Sequence, residues 1–294
     1  MACLGGGALA PIHPSGTLQA SLAAVGIAHA NTSTHAVSTV SCADKAATDS
    51  ATLQAGIDAD YFGTLHIAAG TCQLDRARLT VAKPIVIDGA GQFATYLIQG
   101  SGIGGFNIYP AADPTTVENL NLNSATNNPG PCSDKNGVVI QAQPGVLFSL
   151  ASHTTVRDIT ATIGCGFGIR ITGSNPCDAY PTTGTIVNDL NVSNTGGGGF
   201  ASLDIDCTDG ATLSNITVHG NFVALYIDEN VTLTNERYLP VSYHKVSEAC
   251  RPPWYITGPA DNIAIHGIQG GGPGPIRLRA TNISVEHQTP TLGC

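Results

Sequence analysis

Charge is what this sequence has least of. Only 12 Lys+Arg and 21 Asp+Glu stand among 294 residues, 11% of the chain, against about 25% in an ordinary soluble domain. A mainly helical fold needs Glu, Lys and Arg along its solvent faces, so that class is excluded. Cations are the scarcer sign. A net charge of −9 leaves no cationic cluster for nucleic acid or an anionic membrane surface, and neither is expected as a partner. No uninterrupted apolar run reaches about 18 residues, so no membrane span is expected either. Cys-x-x-Cys pairs and Cys/His clusters at zinc spacing are also missing, which argues against a metal site.

Glycine, proline and cysteine are plentiful instead. Thirty-five Gly and 17 Pro, with much Thr, Asn, Val and Ile, indicate short strands and frequent turns. Residues 1–41 hold no Lys, Arg, Asp or Glu, and Gly5, Gly6, Gly7, Pro11 and Pro14 break the early apolar stretch. A secretory signal opens with basic residues and then a compact apolar run. The segment 1–43 therefore reads as an extended arm or cap that packs on the main body or on a neighbouring subunit, with a degenerate signal peptide as the alternative. Nine cysteines are many for a reducing compartment and favour disulfides. Cys165 and Cys177 bracket a turn-rich loop suited to a local bridge, although Cys165 and Cys207 are equally readable as small buried hydrophobes. The odd total leaves at least one thiol free or paired between chains, with Cys3 and Cys294 as candidates for intermolecular bridges.

Self-similarity is the dominant signal. An apolar residue, a spacer, Asn or Asp, and then apolar-x-apolar recur as Val117-Glu-Asn-Leu-Asn-Leu122, Val156-Arg-Asp-Ile-Thr-Ala161, Val187-Asn-Asp-Leu-Asn-Val192 and Leu213-Ser-Asn-Ile-Thr-Val218. Shorter copies follow at Asp261–Ile265 and Thr281–Val285. Each copy reads as a half-buried strand. A second strand follows four copies, at Gly168–Thr172, Ser202–Asp206, Ala224–Asp228 and Pro275–Arg279. Units returning every 20 to 26 residues predict a parallel β-helix, in which each rung needs its neighbours to bury its apolar row. The longer gaps, near 174–184 and 235–259, are expected to be loops pushed out of a coil spanning 44–294.

At this point the chain resembles the pectin-lyase-like right-handed β-helix superfamily. Asp49-Ser-Ala-Thr-Leu-Gln-Ala-Gly-Ile57 is similar to the short helix that caps such domains. Gly63-Thr-Leu-His-Ile-Ala-Ala-Gly-Thr71 and Ile85-Val-Ile-Asp-Gly-Ala-Gly91 are similar to the first strands after it. The resemblance covers residues 44–288 and implies an all-β, single-stranded, right-handed parallel β-helix with an N-terminal capping helix. That fold houses polysaccharide lyases, hydrolases and epimerases as well as non-catalytic spikes and phage proteins, so it does not fix a function. The pectin-hydrolase branch carries Asn-Thr-Asp, Asp-Asp-Cys, Gly-His-Gly and Arg-Ile-Lys. Here Asn188-Asp189, Asp204-Ile-Asp-Cys207, Val218-His-Gly220 and Arg277-Leu-Arg279 depart from every element.

Aligning the second strands on their inward Ile and Leu residues places Arg170, Asp204, Tyr226 and Arg277 in one outward column. Thr172, Asp206, Asp228 and Arg279 form the next. Asp204, Asp206 and Asp228, with Arg277, would then supply a general acid and base for glycan cleavage, or hold Ca²⁺ beside a uronic acid under a lyase reading. Arg170, Tyr226 and Arg279 would contact sugar, joined by Trp254 and Tyr255 from the 235–259 insert. Outward β-helix positions must be polar in any case, so the same columns also read as solvated ladders. Sequons at Asn31, Asn191, Asn215, Asn230 and Asn282 are expected to be mostly unmodified, because Asn, Ser and Thr are common at such turns.

Two functions follow. The first is a structural or adhesive β-helix of a virion or cell surface (a spike, fibre or head-decoration protein), homotrimeric, disulfide-reinforced and without a cofactor. Its partners would be other surface proteins or a glycan. The second is an extracellular polysaccharide lyase or glycoside hydrolase working through an Asp204/Asp206/Asp228 groove.

Overall fold

The computed structural model describes residues 37–59, 62–74, 78–99, 105–124, 146–163, 168–173, 181–194, 202–219, 223–230, 232–234, 237–239, 254–260, 264–266, 269–270, 277–280 and 284–286. Beyond Val218 only backbone is described, apart from Asn230, Thr232 and Thr234. All of these residues belong to one compact unit, His35–Cys294.

Every strand pairing among the described residues is parallel, and the chain climbs as a right-handed β-helix. A first sheet runs in the order Leu79–Val81, Phe106–Ile108, Leu147–Ser149, Ile169–Thr172, Leu203–Asp209, Val223–Glu229, Trp254–Ala260 and Arg277–Ala280. The four copies of the sequence motif form the long strands Thr115–Asn123, Thr154–Ile163, Ile186–Asn194 and Thr212–His219. These are not the straight half-buried strands that their sequence suggests. Asn119, Asp158, Asp189 and Asn215 have φ of 58°, 53°, 50° and 55°, and the pairing register passes over each of them. Each long strand therefore turns a corner at its Asn or Asp. The residues before the corner make a second sheet and those after it a third. Asn and Asp recur there because their short polar side chains tolerate the left-handed region better than other residues with a Cβ.

The corner also explains why the motif's apolar residues are spaced by three across the Asn/Asp. Val117 and Leu120, Val156 and Ile159, and Val187 and Leu190 are all 1% exposed or less, whereas a straight strand would send one of each pair outward. In the second sheet Leu65, Ile87, Val117, Val156, Val187 and Leu213 lie directly over one another, each 0% exposed. At about 4.8 Å per rung they make one continuous apolar row.

The N-terminal end of this row is closed by the helix Ala46–Ala59, whose Leu53 and Ile57 are buried. Asp49 accepts from the backbone N–H groups of Ala43, Lys45 and Gln73 at 2.7, 3.0 and 2.9 Å, fixing the helix start on the strand Gly70–Leu74. Gln54 accepts from the Thr80 N–H at 2.7 Å and donates to the Thr80 carbonyl at 2.9 Å, so its amide continues the ladder beyond the first sheet's edge strand. A Cys42–Cys72 disulfide joins the same layer.

Several expectations change. Val37–Val40 already pairs with Thr64–Ile67, so the coil begins before the expected boundary at residue 44. Residues 1–36 of the expected arm lie outside the described residues, as does 174–180 of the first loop. The stretch 235–259 is not one insertion, because Arg237–Leu239 joins the third sheet beside Thr217–His219 and Trp254–Ala260 joins the first beside Val223–Tyr226. Cys207 is disulfide-bonded rather than a free buried thiol. Its partner lies outside the described residues, as do Cys165, Cys177, Cys3 and Cys294.

Candidate functional site

The first sheet brings Arg170, Asp204 and Asp206 together on adjacent rungs. Ile169 and Ile171 point inward from one strand, Leu203 and Ile205 from the next, and all four are 0% exposed. Alternation then sends Arg170, Asp204 and Asp206 to the opposite face. Registration of Arg170 with Asp204 and of Thr172 with Asp206 lets one guanidinium reach both acids. Arg170 Nε lies 3.0 Å from Asp204 Oδ2, and Nη2 donates to Asp206 Oδ2 at 2.8 Å.

Their surroundings differ sharply. The Asp204 side chain is 7% exposed and the Asp206 side chain 16%. Burial pushes the Asp204 carboxyl up to about 7, with Arg170 opposing the rise and Asp206 adding to it. A fork-shaped cation serving two carboxylates is the geometry that Arg supplies and Lys does not. It also sits where a Ca²⁺ bound by these acids would have to be, and burial disfavours the charged form of Asp204 that such an ion would need. The pair is therefore a poor fit to calcium.

The remaining members of the expected columns are placed differently. Ile205 registers with Leu225, not Ile227, and the row continues through Ile256 to Leu278. Asp204 is consequently beside Ala224, and Asp206 is beside Tyr226. Tyr226 thus belongs to the second column rather than the first. Asp228 moves two residues further along, to a position beside Thr208. The offset is the same on both sides of Cys207, whose φ of 53° turns the strand before Thr208 and Asp209 pair with both Thr182–Thr183 and Asp228–Glu229. Arg277 does fall on the Asp204 column, three rungs away through Ala224 and Tyr255. Trp254 registers with Val223 and Leu203, the inward row, while Tyr255 takes the position of Asp204. Arg279 follows Leu278 at the point where the register shifts.

Sequence reasoning missed Phe148, which registers with Arg170 from the preceding rung, and the buried hydroxyl pair Thr182–Thr208 at 3.0 Å. A usable signal existed: the turns at Gly210 and Asn230 both have positive φ and stand 20 residues apart. Aligning strands on those turns places Ile205 over Leu225.

No family model matches the chain, and no curated protein does. Among solved structures it is similar to Geobacillus virus E2 ORF18, at 12% identity and a TM-score of 0.39, over 74% of this chain and 48% of that one. The A-module of the Azotobacter vinelandii mannuronan C-5 epimerase is 14% identical with a TM-score of 0.37, over 86% of this chain and 100% of the other. The catalytic domain of a GH87 α-1,3-glucanase in complex with tetrasaccharides is 12% identical with a TM-score of 0.35, over 75% and 54%. The chain spans about half the length of the first and third of these. The class is that of the parallel β-helices, defined by its own strand register.

Proposed function

We propose that this chain is a structural or adhesive β-helix of a virion or cell surface, working as a disulfide-reinforced assembly of several copies, most simply a trimer. The observation that carries this reading is the Arg170–Asp204–Asp206 cluster. Both acids that a cleavage mechanism would need are engaged by one cation across two rungs, and Asp204 is nearly sealed. Such an arrangement stitches rungs together and leaves little open for a substrate. The Cys42–Cys72 bridge and the bonded Cys207 suit an oxidising location outside a cell.

Native mass measured with and without reductant tests it. Several chains per particle are expected, and a clean monomer under both conditions contradicts the proposal.

The enzymatic reading has one observation of its own. Asp204 is a carboxyl that keeps its proton up to about pH 7 beside a second carboxylate, Asp206, the kind of pairing general acid–base catalysis uses. Neutral and uronic polysaccharides should therefore be offered, with reducing-end and 235 nm assays. Cleavage that disappears in a folded Asp206→Asn variant would establish the enzyme instead.

A further inference from the structure

The three outer faces of the coil differ in charge, and the difference selects one of them. The first sheet presents Arg170, Asp204 and Asp206. Outward on the second, His66 and Asp88 are 2.8 Å apart, and Arg157 is paired with Glu118. Outward on the third is a column of Tyr96, Asn121, Thr160, Asn191 and Thr217. Beside it run Ile98, Asn123, Thr162 and Ser193. Over these rungs neither column holds an acidic or basic residue; the second then reaches His219 and the first continues from Thr217 to Arg237. These residues are half-buried or exposed.

We infer that the third sheet's uncharged Asn/Thr face is the surface through which copies of this chain contact one another. The inference rests on the assembly reading above. With a net charge of −9, two copies repel wherever their carboxylates meet. Asp88, Glu118, Asp204 and Asp206 belong to the other two sheets, and among the described residues on this side acids stand only at the corner edge, at Asp158 and Asp189. Amide and hydroxyl groups each carry donors and acceptors, so a second copy of the same face can satisfy it. A row of carboxylates, which only accept, could not pair with itself in that way. A two-fold contact requires such self-complementarity, and around a threefold axis one half of the face meets the other half of its neighbour's, so uncharged groups that both donate and accept suit either symmetry. Tyr96, with its hydroxyl donating to the Phe93 carbonyl at 3.0 Å, adds a fixed aromatic ring to the patch.

The test places charge on that face in the full-length chain. Asn121→Glu combined with Asn191→Glu should reduce the native mass to a single chain of 30.0 kDa, with thermal unfolding still cooperative. Thr155→Glu on the second sheet should leave the multimer intact. A wild-type monomer sinks the assembly reading and this inference with it. A wild-type multimer that survives the double substitution sinks the inference alone. If the double variant fails to fold, hydroxyl-radical footprinting of the wild-type chain decides. Tyr96 labelling should be at least threefold lower in the multimer than after dilution to monomer, and equal labelling overturns the inference.

Discussion

Two columns of polar residues climb this coil under different physical rules. At the corner between the second and third sheets, Asn119, Asp158, Asp189 and Asn215 each sit at a φ of 50° to 58°. The backbone there demands a residue that tolerates the left-handed region, so the sequence repeats itself visibly. On the first sheet, Arg170, Asp204 and Asp206 meet only the looser demand that outward positions be polar. There the neighbours follow from register alone. A local backbone requirement leaves a motif, whereas a requirement met by any polar residue leaves none.

The largest effect expected from breaking this contrast is at Arg170. Arg170→Met leaves two crowded carboxylates without their cation, which should cost roughly 3 to 5 kcal/mol at pH 8 and distinctly less at pH 5, where Asp204 is already neutral. Denaturant unfolding at the two pH values checks both parts.

Next comes the pH profile of the intact chain. Asp204 has its folded value raised from 3.8 to about 7, so the folded state holds a proton that the unfolded state has lost. Its contribution is fully present below about pH 4 and is lost as pH rises toward 7, by at most roughly 4 kcal/mol. Asp204→Asn should remove that slope while leaving the fold intact.

The corner column gives the smaller effects. Asp158→Val forces a β-branched residue into positive φ and should cost about 1 to 3 kcal/mol. Asp158→Asn should fall within about 0.5 kcal/mol of wild type. If Val were as well tolerated as Asn, the corner would not be what makes the motif recur.

The same contrast accounts for what could be read in advance. The stacked coil, the capping helix and the aliphatic rows were legible, because burial imposes a pattern on every rung. Asp204 with Asp206 and Arg170 was legible too, since these residues share two adjacent strands. The places of Tyr226 and Asp228 were not. A two-residue shift keeps the inward–outward alternation and merely exchanges Ile227 for Leu225, so hydrophobic pattern alone is indifferent to it. The stretch 235–259 was misread because its Tyr, Pro and Trp content looks like a loop, although Trp254 and Tyr255 continue the first sheet's rungs.

Strand register underlies the whole account, and cysteine pairing across rungs measures it directly. Neighbouring rungs hold their Cα atoms about 4.8 Å apart, within the span a disulfide bridges. Ile205→Cys with Leu225→Cys should therefore form a disulfide identified by peptide mass mapping, and Ile205→Cys with Ile227→Cys should not. The reverse outcome would return Tyr226 to the Asp204 column and contradict the placement on which the first sheet's chemistry has been argued.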